Sequence, residues 1–288
     1  MDITPWGGDI AEIRGVVRIS GTDITVDFEG TAAQIAGNIN CPYASTVSAV
    51  QSALRCMLDE EGLIFNQGAN RPLTVHAPKG SILNPNFPAA VRARLTPASR
   101  VFDIVVRALG KANPDSAVAT GYDTTSAVAL SSFDPEKGYA VTMEILGGGW
   151  GGACGQHGAE GLDNPISNCA NAPVEALEVD FPSFRIVEYS LLDGSGGVGE
   201  YAGGRGIRRV YEATRDGVKV AGYGDRHRVG ASGLLGGGPG GVGAFKIRRS
   251  NGSVEVLPNV YEAVLGRGDR LVIETGGGGG YGTPPTRG

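Results

Sequence analysis

The sequence predicts an α+β, β-rich fold, with two helices in the N-terminal half and a glycine-rich, mostly antiparallel β C-terminal half. Three observations carry this. Two stretches, residues 45–59 and 98–111, repeat apolar residues at helical spacing. Strand-like runs in the second half are separated by turn residues, in the rhythm of hairpins and meanders rather than of βαβ units. Glycine makes up 48 of 288 residues, twelve in 1–145 and 36 in 146–288, where ~7% is usual. The chain therefore reads as an α+β portion, 1–145, and a glycine-rich β portion, 146–288, which can also form one continuous domain.

Residues 11–29 form a hairpin. Val16 and Arg18 alternate on one arm, Ile24, Val26 and Phe28 on the other, and Ser20-Gly21-Thr22-Asp23 supplies the turn. The turn-rich Gly37-Asn38-Ile39-Asn40-Cys41-Pro42 leads into the first helix, 45–59. Val47, Val50, Ala53, Leu54, Met57 and Leu58 give its apolar stripe, with Ser45 or Thr46 as N-cap and Gly62 closing the far end. Leu73-Thr74-Val75 is a short strand between Pro72 and Pro78, and Asn84-Pro85-Asn86-Phe87-Pro88 is a rigid turn. The second helix, 98–111, buries Val101, Ile104, Val105, Ala108 and Leu109 and stops at Asn113-Pro114. A strand over 139–146 and a short helix over 173–178 follow. Further strands fall at 184–192, 206–213, 218–223, 244–249, 253–257 and 270–274.

Hydrophobic content of 41% with 19% charged residues supplies a core and excludes a disordered chain. A net charge of −5 offers nothing to a polyanion. The basic clusters Arg205/Arg208/Arg209 and Lys246/Arg248/Arg249 lie on strands without interleaved aromatics, as solvated strand faces do, so nucleic acid is not an expected partner. Residues 1–10 lack the pattern of a secretory signal, and no apolar run reaches membrane-spanning length. A cytoplasmic protein with free thiols and no membrane partner is expected. Gly194-x-Gly196-x-x-Gly199 matches the dinucleotide fingerprint in letters, but 200–206 cannot make the helix that would face a pyrophosphate. G-x-x-x-x-G-K-[ST] and G-x-S-x-G are both absent.

Chemistry-bearing residues concentrate in 147–171, GGGWGGACGQHGAEGLDNPISNCAN. Glycine lets backbone approach backbone or ligand closely, and a long loop tethered at both ends is a usual seat of function. His157 and Asp163 are the candidate catalytic residues, and Asn168 and Asn171 the candidate substrate-binding amides. A metal on His157 and Asp163, joined by Cys154 or Cys169, stands against an ordinary loop histidine; His76 and His227 show no ligand-like spacing. Asp225 and Arg226, in Gly224-Asp225-Arg226-His227-Arg228, either orient a substrate carboxylate or brace a turn. The runs 236–241 and 276–280 are either N–H nests for an anion or places where strands cross closely.

In order along the chain, VDFEGT (26–31), GNIN (37–40), NQGANRPLTVHAPKGSILNPNFPAAVRAR (66–94), GGGWG (147–151), NCANAPVEALE (168–178), GSGGVGEYAGGRGI (194–207), GDR (224–226), GLLGGGPGG (233–241) and TGGGGGYGTP (275–284) resemble the hydantoinase B/5-oxoprolinase family. The resemblance implies ATP-dependent opening of a lactam or hydantoin ring. A hydantoinase A-like partner would bind ATP and phosphorylate the carbonyl oxygen, and the B component would open the ring with water. Sister enzymes carboxylate acetone or acetophenone with the same pairing. The match is to the C-terminal half of a family B component. The N-terminal half of such components carries Asp-Pro-Tyr…Gly-Gly-Thr-His…Asp and His-x-x-Asp motifs resembling metal ligands, and none occurs here. Many members also have Arg and Lys where this chain has Gly152, Cys154 and Gln156. The resemblance thus implies a non-autonomous half-subunit, with a divalent metal held mainly by a separate chain carrying the N-terminal half. The alternatives are a ketone carboxylase subunit and a non-catalytic truncated fragment.

Overall fold

A computed structural model of the chain describes residues 10–58, 66–122, 124, 126–136, 138–167, 169–170 and 172–285. The hairpin forms as expected: β1 (Val16–Ser20) pairs antiparallel with β2 (Asp23–Asp27), and Gly21 takes φ 59 in the two-residue turn. β3 (Leu73–His76) adds to β2 in parallel. Two helices pack on each other beside this sheet, α1 (Tyr43–Leu58) and α2 (Leu95–Gly110). Val26, Phe28, Ile39, Val50, Val101 and Val105 are among the buried side chains of this first core.

Both helices begin earlier than their apolar periodicity suggests. In α1 the Pro42 carbonyl accepts the Ser45 and Thr46 amides, and the buried Thr46 hydroxyl donates to Leu83 O (2.7 Å) instead of capping. The buried stripe of α1 is Thr46, Ala49, Val50, Ala53 and Met57, so Leu58 is left exposed. Gly62, expected to end this helix, lies outside the described residues. In α2 burial surrounds most of the helix and includes Arg100 and Asp103. Two charges inside a buried helix require partners, and they find them in the C-terminal portion. The GNIN motif also has a structural reason. Asn40 is fully buried, accepts the Ile35 amide, and donates to the carbonyls of Ile35, Gly37 and Ala90, joining two loops.

The second core is a β-sandwich. One sheet contains β4 (Ser126–Asp134), β5 (Gly138–Leu146), β8 (Val218–Tyr223) and β11 (Val260–Leu265), in the order β11-β8-β4-β5. The other contains β6 (Phe184–Leu191), β7 (Ile207–Ala213), β9 (Ala244–Arg248), β10 (Val254–Leu257) and β12 (Arg270–Glu274), in the order β10-β9-β12-β7-β6. Every pairing in both sheets is antiparallel. Leu130, Leu146 and Val220 of the first sheet share this core with Tyr211, Phe245 and Leu271 of the second. The short helix α3 (Val174–Asp180) packs on β6. β4 and β11 are not among the strands that the sequence predicts, because Ala, Ser and Glu dilute their β signal.

The basic clusters are not simply solvated. Arg209 is wholly buried between the sheets, where it donates to Glu144 (2.9 Å) and to the Tyr211 hydroxyl (3.1 Å). Tyr211 in turn donates to Glu144 (2.5 Å). Burial pushes the Glu144 carboxyl upward, against the pull of Tyr211 and Arg209. Arg208 and Lys246 share Glu274, and Arg249 pairs with Asp269.

The glycine excess is explained by a third feature. Residues 276–280 form a buried axis wrapped by other glycine-rich segments. Gly276 accepts from Gly149 (3.0 Å), and Gly279 bonds to Thr120 and Gly152 (2.8 and 2.9 Å). Gly277 donates to Gly241 (3.2 Å), and Gly280 bonds to Gly238 and Leu234 (both 2.9 Å). Gly278 donates to Gly204 (3.0 Å), and Tyr281 exchanges bonds with Tyr201. Partners recur every third residue, the period of a polyproline-II helix, which has no internal hydrogen bonds and so offers its amides and carbonyls sideways. A Cβ at Gly278 would overlap the Trp150 carbonyl, and one at Gly149 the Gly204 carbonyl. The amides of 277–280 are all spent on backbone carbonyls, which decides for close crossing and against an anion nest.

Candidate functional site

Residues 148–162 fold as a narrow ribbon. Gly148 exchanges backbone hydrogen bonds with Leu162 (2.9 and 2.8 Å), and the Trp150 amide donates to Ala159 (2.8 Å). Ala153 pairs with Gln156 around a tip at Cys154-Gly155, where Gly155 takes φ 78. His157 lies beside the tip and Asp163 just past the base. Among the described residues no hydrogen bond or ion pair joins the two.

His157 is exposed, and its Nδ1 accepts the Ala202 amide at 2.9 Å, with the ring edge-on to Tyr201. A backbone N–H can only donate, so Nδ1 holds no proton and the neutral ring carries its proton on Nε2. In this arrangement the remaining nitrogen is a hydrogen-bond donor. Asp163 is half-buried. Its Oδ2 accepts from the Ser167 hydroxyl and from the Cys169 amide (2.9 Å), while its carbonyl accepts from Trp150 Nε1 (2.9 Å). Burial raises its pKa, opposed by the Cys169 and Asn164 amides. Asn168 and Asn171 lie outside the described residues.

Asp225 and Arg226 sit far from the surface. Arg226 donates to Asp103 (2.8 Å) and to the carbonyls of Tyr122 and Gly230. Arg100 donates to the same Asp103 oxygen (2.5 Å) and lies 3.5 Å from Asp225. Two guanidiniums and two carboxylates thus tie α2 to the segment after β8, and Arg226 holds a left-handed φ of 59. To orient a substrate carboxylate, the pair would first have to release these partners.

A small pocket of about 80 Å³ opens beside this cluster, lined by Met57, Phe102 and Val106 of the helices, Thr120, and Trp150 of the ribbon, with Asp103 in its wall. The Thr120 hydroxyl is buried and has no hydrogen-bond partner among the described residues. The volume suits a small ring rather than a drug-sized ligand. Sequence reasoning does not single out Asp103, Thr120 or Trp150 as site residues. The available signal is Arg100 and Asp103 embedded in the apolar run of the second helix.

A resident metal does not fit this site. His157 has one nitrogen occupied and the other protonated, and Asp163 is distant in the ribbon. Among the described residues a ligand-like group does occur at Asp27, Glu29 and His76. There Asp27 is already engaged by His76 Nδ1 (2.9 Å) and Arg18 (3.2 Å). His227 packs on Phe245, with ring centroids 4.4 Å apart. All four cysteines are free. Among the described residues no helix is long and apolar enough to cross a membrane.

These features define an α+β protein: a helix-backed sheet, an antiparallel sandwich and a polyglycine crossing, with a small pocket at the helices. The chain belongs to the hydantoinase B/oxoprolinase family, whose model matches residues 3–284. The putative B component of a D-/L-hydantoinase from a Pseudomonas species is 34% identical over 96% of this chain and 47% of its own length. An uncharacterised protein of Methanocaldococcus jannaschii is 33% identical over 100% of this chain and 50% of its own. The 5-oxoprolinase of Saccharomyces cerevisiae is 30% identical over 96% of this chain and 22% of its own. The chain thus spans half or less of these relatives. Among solved structures, the ATP-dependent caprolactamase of Pseudomonas jessenii superposes with TM-score 0.80 at 23% identity, over 95% of this chain and 49% of that one. Nucleotide-free acetone carboxylase gives TM-score 0.80 at 18% identity, over 96% and 42%. At such identities the likeness establishes the fold.

Proposed function

We propose that this chain is the C-terminal half of one subunit of an ATP-dependent cyclic amidohydrolase, acting with a hydantoinase A-like partner and a chain supplying the remaining half. The observation that carries the reading is the family match along nearly the whole chain, with relatives named for hydantoins and 5-oxoproline. A lactam carbonyl is a weak electrophile. Transfer of the ATP γ-phosphoryl group to its oxygen makes the ring carbon attackable by water; the C–N bond then breaks as the nitrogen takes a proton, and a second water hydrolyses the resulting acyl phosphate to carboxylate and phosphate. In this reading His157 donates its Nε2 proton in a hydrogen bond to negative charge developing on oxygen. Asp163, its pKa raised by burial, anchors through Ser167 and Cys169 the loop carrying Asn168 and Asn171, which hold the ring amide. Arg226 holds Asp103 in the pocket wall, and Asp225 pairs with Arg100, the second arginine on that carboxylate. In this reading the metal and the nucleotide are held by the partners.

The test is reconstitution of the three components with 5-oxoproline, hydantoin and caprolactam, following lactam-dependent phosphate release and ring-opened product. His157→Gln keeps a donor at the Nε2 position and is expected to retain most of the rate, whereas His157→Ala loses it. If His157→Gln is as inactive as His157→Ala, the donor role is wrong. Bicarbonate carbon appearing in a ketone, with no lactam turnover, would replace the reading with the carboxylase alternative. Turnover by this chain alone would overturn the half-subunit assignment.

A further inference from the structure

The register of the four-stranded sheet fixes which side chains share its outer face. Ala129, Ser131 and Phe133 of β4 oppose Met143, Val141 and Tyr139 of β5. Ala129 and Ser131 also oppose Ala221 and Lys219 of β8, which in turn oppose Glu262 and Val264 of β11. An antiparallel sheet with one solvated face should alternate apolar inward and polar outward. This face breaks the rule: Phe133, Tyr139, Val141, Met143 and Val264 are each 50–72% exposed. Phe133 and Tyr139 pack ring to ring at 5.0 Å, extending the apolar surface across both strands. Between the β5 row and Lys219/Glu262, the small side chains of Ala129, Ser131 and Ala221 floor a groove of about 180 Å³. β5 also ends the sheet, is nine residues long, and has no strand on its outer side among the described residues. A long apolar end strand is a template for further pairing, and a contiguous exposed apolar face marks an interaction surface.

We infer that this face docks the polypeptide equivalent to the part of the relatives that this chain does not match. The inference rests on the half-subunit reading above. Length argues for that occupant: this chain covers 50% of the Methanocaldococcus jannaschii relative and 47% of the Pseudomonas one, so in each the remainder is tethered to this same fold. The surface calls for an apolar ridge filling the groove, polar groups meeting Lys219 and Glu262 at its rim, and a backbone segment alongside β5.

The probe is the purified unmatched half of the Methanocaldococcus jannaschii relative, titrated calorimetrically against the full chain. A one-to-one complex is expected. The Tyr139→Lys/Val141→Lys double variant should weaken it by at least about tenfold. Val256→Lys, on exposed β10 in the other sheet, should leave it unchanged, and unaltered circular dichroism would show both variants folded. Absence of a complex with the wild-type chain, or a complex indifferent to the double variant, overturns the inference. So does a homodimer in sedimentation that the double variant dissolves, which would make a second copy the occupant. Binding is read without turnover, so the two proposals fail separately. A complex that forms as expected but opens no lactam when supplied with the hydantoinase A-like partner and ATP sinks the reaction class and leaves the surface standing.

Discussion

Substituting Gly278 by alanine tests the physical account of the glycine-rich half. The new Cβ would fall inside the van der Waals radius of the Trp150 carbonyl carbon and oxygen and reach the Gly151 nitrogen at 2.7 Å. These are backbone atoms, so no side-chain rotation relieves the overlap. Separation of the two segments must stretch the Gly149 amide bond to Gly276 (3.0 Å) and the Gly152 amide bond to Gly279 (2.9 Å). A buried backbone group left without its partner costs about 1–3 kcal/mol, so two cost about 2–6 kcal/mol. Total stabilities are about 5–15 kcal/mol. The control is Gly252→Ala at a turn with φ 88 and no neighbouring atom within 4 Å. There only left-handed strain applies, about 1–2 kcal/mol. Urea unfolding by circular dichroism and tryptophan fluorescence should place the Gly278→Ala midpoint well below that of Gly252→Ala. If the two midpoints coincide, the crossing is not held by close backbone contact and the explanation of the glycine content fails.

Two further predictions concern titration. Asp27 is held down to about 2, first by His76 and then by the Glu29 amide and Arg18. A depressed carboxylate contributes stability above its ordinary pKa, near 4, and loses it as pH falls through about 2. The contact is largely solvated, so the change in stability should be small, but carboxyl-detected NMR should find the low pKa and see it rise toward the ordinary range in His76→Ala. No rise would show that His76 is not the main cause. Cys41 is buried and its thiol is pushed up to about 11 by desolvation. Ellman's reagent at pH 8 should therefore modify Cys56, Cys154 and Cys169 in the folded chain and Cys41 only on unfolding. Four fast thiols would contradict that core.

Where side-chain pattern follows local periodicity, the sequence is legible. The β1–β2 hairpin, both long helices and most strands follow from alternation, stripes and turn residues, because each element selects its own inward face before tertiary contact. β4 escapes such a reading because its Ala and Ser residues become strand only when Val128 and Leu130 are buried in the sandwich. The candidate site is harder to read. The ribbon 148–162 places His157 and Asp163 at opposite ends, a fact set by its pairing register and not by their closeness in sequence. Asp103 enters the pocket wall through two arginines, one from its own helix and one 123 positions away.

By itself the sequence determined the family, the α+β class and the existence of a glycine-rich half, since these are carried by motif order, periodicity and composition. Only the tertiary structure decided what the glycines do. Anion nest and close crossing demand the same residue, and they differ solely in whether the amide points at a ligand or at another chain segment's carbonyl. That choice depends on which segments meet in space, and here 276–280 spends its amides from 277 onward on backbone from across the fold.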